Sequence, residues 1–144
     1  MIYTTNTKKA LKLCFEAHKN QVDKSGMPYV FHPFHVAEQM TDELSTVTAL
    51  LHDVVEDTPY TLEDLRGMGF PEPVLAALAL LTHGEDVPYL EYVAQIRQNP
   101  IARAVKLADL RHNSDRTRLE TDGYDEDTIR RYETKYRKAL EILE

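Results

Sequence analysis

The sequence predicts an all-α fold, a helical bundle of about seven to eight helices. Three observations carry this. Apolar residues recur at helical spacing along most of the chain. Prolines or small polar capping residues stand before these stretches. No segment alternates apolar and polar residues as a half-buried strand would. A chain of 144 residues suits one domain, residues 1–144, with a real core.

The first helix is expected from about Thr7 to Gln21, with Ala10, Leu13, Cys14 and Ala17 on its inner face. The run DKSGMP, around Gly26 and Pro28, is a turn. Pro33 suits the first position of a second helix, reaching about Met40. Ser45 or Thr46 caps a third, which carries Val47, Leu50, Leu51, Val54 and Val55 until Pro59 stops it. Thr61 and Asp64 form a capping box for a short helix closed by Gly67 and Gly69. Pro71 or Pro73 opens a helix to about Leu81, Pro88 one to about Gln98, and Pro100 a long one to about Arg116. After the turn TDGYDED, the last helix runs from about Glu126 to Leu143. Ile129, Tyr132, Tyr136, Leu140 and Leu143 form its stripe.

Composition narrows the functional classes. A net charge of −7 argues against a nucleic-acid partner, which calls for a basic face. No run approaches the roughly 18 apolar residues of a membrane span, and MIYTTNTKKA lacks the apolar stretch of a secretory signal. The one cysteine, Cys14, precludes an internal disulfide and reads as a small core residue, in keeping with a cytoplasmic location.

Chemistry concentrates in three otherwise apolar runs. YVFHPFHVAEQM contains His32, TALLHDVVEDT contains His52 and Asp53, and AVKLADLRHN contains Asp109. Buried carboxylates need a partner or a metal, and two imidazoles with two carboxylates make a nitrogen–oxygen ligand set. Such a set leaves positions for water and a phosphate oxygen. A six-coordinate divalent metal fits, with Mn²⁺ the choice. Glu56 lies four residues after His52, and Asp57 four after Asp53, one helical turn away. That is where a hydrolase needs a group to orient or deprotonate water, so both are candidate catalytic residues. Lys106, Asp109 and Asn113 share a face of the long helix, which makes Lys106 and Asn113 candidate substrate-binding residues, with a surface lysine on a snorkelling stem an equal reading of Lys106. His112, three after Asp109, and His35, three after His32, are candidates for orienting ligands. His18 and His83 have no such pairing.

The runs HKNQVDKSGMPYVFHP, LLHDVVEDT and VKLADLRHN resemble the hydrolase domain of RelA/SpoT-type proteins and of small stand-alone alarmone hydrolases. The resemblance covers about residues 8 to 118. It implies an all-helical HD-superfamily fold and a metal-dependent phosphohydrolase that uses Mn²⁺. The implied reaction removes the 3′-pyrophosphate from (p)ppGpp, the guanosine 3′,5′-bis(diphosphate) nucleotides, with no synthetase domain following. It also implies metal ligation by His32, His52, Asp53 and Asp109, catalysis by Glu56 and Asp57, and the asparagine of an HN motif at Asn113. Lys24 and Ser25 match positions lining the nucleotide site. Two departures stand out. Asp23 occupies the position where the family commonly has an arginine stacked on the guanine. A carboxylate cannot replace that planar cation, so weaker guanine selectivity is expected. The order Leu110-Arg111 inverts the usual Arg-Leu and turns the arginine by about 100°. A phosphohydrolase for another nucleotide or phosphoester, and a non-catalytic nucleotide or metal sensor, are the competing readings; intact Glu56, Asp57 and Asn113 argue against the sensor.

Overall fold

The computed structural model describes residues 1–144 and contains ten helical segments and no strand. Its only β-type pairing is an isolated bridge between Val22 and Pro28. No helix is long and apolar enough to cross a membrane. Helix α1 is Thr5–His18, capped by Thr4, whose hydroxyl accepts from the Thr7 amide. It ends earlier than its apolar spacing predicts, because Gln21 to Tyr29 form a tight hairpin. The Tyr29 amide donates to the Gln21 carbonyl at 2.9 Å, and the Asp23 amide to the Met27 carbonyl at 2.8 Å. Gly26 sits at φ +81°, a conformation that side chains disfavour.

Helix α2 is Phe31–Glu38. Pro33 is its third residue rather than its first, which costs nothing because the first-turn amides lack helical partners anyway. Helix α3, Glu43–Leu51, is capped by Asp42 and not by Ser45 or Thr46. The Asp42 carboxylate takes the Ser45 amide at 2.8 Å, while the Thr46 hydroxyl donates back to the Asp42 carbonyl at 2.6 Å. Every residue from Ser45 to Leu51 is buried, so α3 is the axis of the bundle. It packs on α1, α2, α6 (Glu72–Leu81) and α8 (Pro100–Asn113).

The expected single helix through His52 is instead two. After a break at His52 and Asp53, α4 covers Val54–Asp57. The cause is local: the Ala49 carbonyl, which a continuous helix would offer to the Asp53 amide, accepts from the His52 backbone and from the His52 ring. Helix α5, Leu62–Gly67, has the capping box read from Thr61 and Asp64. Helices α6 and α7 (Tyr89–Ile96) open after Pro71 and Pro88. Helix α8 stops at Asn113, and Asp115 caps a separate α9, Arg116–Thr121. Helix α10, Glu126–Leu143, starts at the Asp125 cap. Helix α4, split from α3, and the unforeseen α9 are the two segments beyond the expected eight.

The core runs through Leu50, Leu51, Leu78, Ile96, Leu110 and Leu143, all fully buried. Cys14 belongs to it, and burial together with the charge of Asp53 pushes its thiol up to about 12, which makes it unreactive. On α8, Leu110 enters the core while Arg111 faces solvent and approaches Glu144 at 3.7 Å. Leu50→Ala leaves a cavity in the axis of the bundle. It should lower unfolding free energy by about 2–5 kcal/mol in urea titration without changing the far-UV spectrum of the native state.

Candidate metal centre

Three elements meet at one buried crevice. The first turn of α2 carries His32, the break after α3 carries His52 and Asp53, and the last turns of α8 carry Asp109. Donor atoms of His32, His52 and Asp109 lie within 4.8 Å of one another. His32 Nε2 is 2.8 Å from Asp109 Oδ1, and His52 Nε2 is 3.6 Å from the same oxygen. Asp53 Oδ2 completes the group, 3.1 Å from His52 Nε2 and 4.0 Å from His32 Nε2. Donors held about 2.1 Å from one ion stand about 3–4 Å apart, so these spacings suit a shared cation.

One atom tests the fit directly. His52 is buried, its Nδ1–H donates to the Ala49 carbonyl at 2.6 Å, and its Nε2 has no hydrogen-bond partner. The backbone thereby selects the tautomer whose lone pair faces the crevice, the usual arrangement of a ligand histidine. An orphaned buried nitrogen is costly unless something occupies that space. Electrostatics agree. Burial lifts the Asp53 carboxyl, but the His52 and His32 rings beside it outweigh burial and hold Asp53 down at about 2. Asp109 is treated likewise: burial opposes its charge, while Lys106 and the two imidazoles hold it well below the carboxylate range. Two such carboxylates form a negative well for a cation. The residues fit a divalent metal with nitrogen and oxygen ligands.

Other groups brace the ligands. Lys106, only 13% exposed, donates to Asp109 Oδ2 at 2.9 Å, and Asn113 Nδ2 donates to Asp109 Oδ1 at 3.1 Å. His112 Nδ1 is 2.7 Å from His32 Nδ1, and its ring stacks on His35 at 4.0 Å between centroids. Burial, with Arg118 and the two histidines, lowers His112 to about 3, so it is neutral and accepts the His32 proton. Tyr29 donates its hydroxyl to Asp53. That residue escaped the reading by spacing, although it lies three before His32 in the apolar run that flags the site.

Glu56 and Asp57 sit in α4, directly after His52 and Asp53, and both side chains reach solvent. The break changes their setting. They are the third and fourth residues of the single turn of α4, and not part of a longer α3. Partial burial, then Asp53, then the neighbouring carboxylate raise Glu56, which also feels Lys106. Partial burial and Asp53 likewise raise Asp57, which also feels His18 and His52.

The comparisons with known proteins follow the same lines. No family model matches the chain. The mouse guanosine-3′,5′-bis(diphosphate) 3′-pyrophosphohydrolase MESH1 is 34% identical over 134 residues, covering 82% of this chain and 74% of its own. The human MESH1 is 34% identical over 122 residues, with 76% and 68% covered. The chain belongs to the MESH1 family. A GTP pyrophosphokinase of Streptomyces coelicolor is 34% identical across 94% of the chain, which spans only 16% of that protein. The solved structure of a metazoan SpoT ortholog that hydrolyses ppGpp superposes with a TM-score of 0.85, at 24% identity, over 99% of this chain and 88% of that one. It shows the shared fold.

In this MESH1 relative the turn after α1 has its own bonding. The Asp23 carboxylate accepts the Ser25 amide at 2.9 Å and the Met27 amide at 3.0 Å, so it is the cap of the turn. Ser25 donates its hydroxyl to Asp122, and the Lys24 ammonium stands 4.0 Å from the Tyr124 ring centre. Both therefore contact the turn between α9 and α10. A cavity of about 430 Å³ lies between the two turns and reaches the cluster through Tyr29, His32 and His112.

Elemental analysis of protein dialysed against Mn²⁺ should find one equivalent of metal, and His52→Ala or Asp109→Asn should abolish it. Adding metal at about a hundred times its Kd should stabilise the native chain by about 2.7 kcal/mol and leave both variants unmoved. Wild-type metal content in either variant would reject the site.

Proposed function

We propose that the chain is a metal-dependent guanosine-3′,5′-bis(diphosphate) 3′-pyrophosphohydrolase, converting (p)ppGpp and water to GDP or GTP and pyrophosphate. The observation that carries this is the orphaned Nε2 of His52 facing Asp53, His32 and Asp109, with a free carboxylate pair in the next turn. Family membership supplies the substrate class. We take His32, His52, Asp53 and Asp109 as the ligands and Mn²⁺ as the physiological ion, suited to mixed imidazole and carboxylate donors. A metal bound there supplies Lewis acidity to the phosphoryl oxygens and acidifies water.

The remaining work belongs to the chain. Glu56 orients water and takes its proton, aided by the upward shift that burial and Asp53 impose. Asp57, shifted for the same reasons, holds the water on the other side. The oxygen adds to the phosphorus on the 3′ oxygen, the bond between them breaks, and the 3′ oxygen collects the proton as pyrophosphate departs. Lys106 and Asn113 keep Asp109 ionised and aimed, and we take their remaining donors as the groups that bind the diphosphate. Lys24 and Ser25 exchange their contacts with Tyr124 and Asp122 for the nucleotide. A cytoplasmic location suits this substrate and the unpaired Cys14.

Glu56→Gln should retain stoichiometric metal and lose about 10²- to 10⁴-fold in kcat on ppGpp. An unchanged kcat would move the role to Asp57. With Asp23 committed to the turn, no planar cation is available there to stack on the base. Discrimination between ppGpp and its adenine counterpart should therefore fall short of an arginine-bearing site by roughly 2- to 30-fold in KM. Steady-state kinetics on both nucleotides, in the native chain and in Asp23→Arg, measure this. Strong guanine preference that Asp23→Arg leaves unaltered would show that another residue reads the base.

A further inference from the structure

Arg118 is a half-buried cation without a carboxylate. Arg66, Arg111, Arg116, Arg130 and Arg137 each have an acidic oxygen within 4.0 Å, and Arg118 has none. The other half-buried arginine, Arg103, is spent on the carbonyls of Leu143 and Glu144. One nitrogen of Arg118, Nη1, donates to the His112 carbonyl at 2.8 Å. That bond orients the guanidinium and leaves its other N–H groups with no protein acceptor. The carboxylates nearby are engaged elsewhere. Asp115 accepts from Thr117 to cap α9, and Asp122 accepts from Ser25. A partly desolvated guanidinium with unused donors is costly to keep, and an anionic ligand removes that cost.

Position tells which anion. Arg118 lines both the cavity of about 430 Å³ and a second one of about 140 Å³. The second is walled by Tyr124, Tyr132 and Tyr136 and opens on Asn113, which is bonded to the ligand Asp109. Arg118 thus stands where a nucleotide leads away from the cluster, one helix beyond the groups that take the scissile diphosphate. A nucleotide bis(diphosphate) held by its 3′ end has one other anionic group, on its 5′ oxygen. Paired guanidinium N–H groups match phosphate oxygens in spacing and charge. We propose that Arg118 forms a subsite for the 5′-phosphate group of the bound nucleotide. The orientation of the substrate rests on the reading under Proposed function. The contact itself needs no turnover to be observed.

The test is calorimetric titration of the metal-loaded chain with GDP and with guanosine, which differ only in the 5′-diphosphate. Native protein should bind GDP more tightly than guanosine. Arg118→Gln should weaken GDP roughly 10- to 100-fold, as expected for lost charge-assisted hydrogen bonds, and leave guanosine unchanged. Arg118→Lys keeps the charge without the fork and should lose a few-fold on GDP alone. It decides the matter if Arg118→Gln does not fold. Equal affinities for GDP and guanosine in the native chain, or GDP affinity that neither variant alters, would overturn the subsite. So would equal weakening of both ligands. Native hydrolysis of ppGpp is measured separately. Its absence beside Arg118-dependent GDP binding would refute the activity and not the subsite.

Discussion

The carbonyl of Ala49 accepts the ring N–H of His52, and much of this molecule depends on that bond. It withdraws the acceptor that would have continued α3, so the buried axis of the bundle breaks at the residues that face the crevice. It leaves the opposite ring nitrogen bare inside the protein. It is followed by a single separate turn capped at Asp53, which carries Glu56 and Asp57. A backbone hydrogen bond is worth about 1 kcal/mol by itself. Its importance here is geometric, because a rotated His52 would carry a proton toward the metal position.

Charge balance is the second constraint. Asp53 and Asp109 lie close together in a buried space, a repulsive arrangement without cations. Lys106 neutralises part of it from the Tyr92 side, with its ammonium 2.9 Å from Asp109 and 5.4 Å from the Tyr92 ring centre. The imidazoles share the rest, and the field that would protonate His52 attracts a dication more strongly. His32 comes from α2, Asp109 with its braces Lys106 and Asn113 from α8, and both helices pack on α3, which ends at His52. The turns bearing Ser25 and Asp122 flank the cavity that leads to the site.

Much of the helical arrangement was legible because its signals are local. The Thr61–Asp64 box, the prolines before α6, α7 and α8, and the stripe of α10 each act within a turn or two. The misreadings were of the same scale. Ser45 and Thr46 were eligible caps, yet Asp42 accepts the amide because both hydroxyls turn back onto its carbonyl or carboxylate. The helix from Pro100 was expected to reach about Arg116, but it stops at Asn113, and Asp115 offers its carboxylate to Thr117 and starts a separate helix. Lys106 passed equally for a snorkelling surface residue, since nothing in its neighbours along the chain reveals the Tyr92 ring or the depth of Asp109.

By itself the sequence determined an all-helical chain and singled out the polar residues that meet in the crevice, because a buried His or Asp in an apolar run is expensive wherever it folds. It also determined that Glu56 and Asp57 follow His52 and Asp53 within one turn. Only the tertiary structure decided how those donors are aimed. Tyr29 on Asp53, His112 on His32 and Ser25 on Asp122 join segments separated by 24, 80 and 97 positions. It likewise decided that Asp23 is a turn cap and that Arg118 lacks a counter-charge. Hydrogen bonding and ion pairing fall off within a few ångströms, and which groups come that close is set by helix packing, not by spacing along the chain.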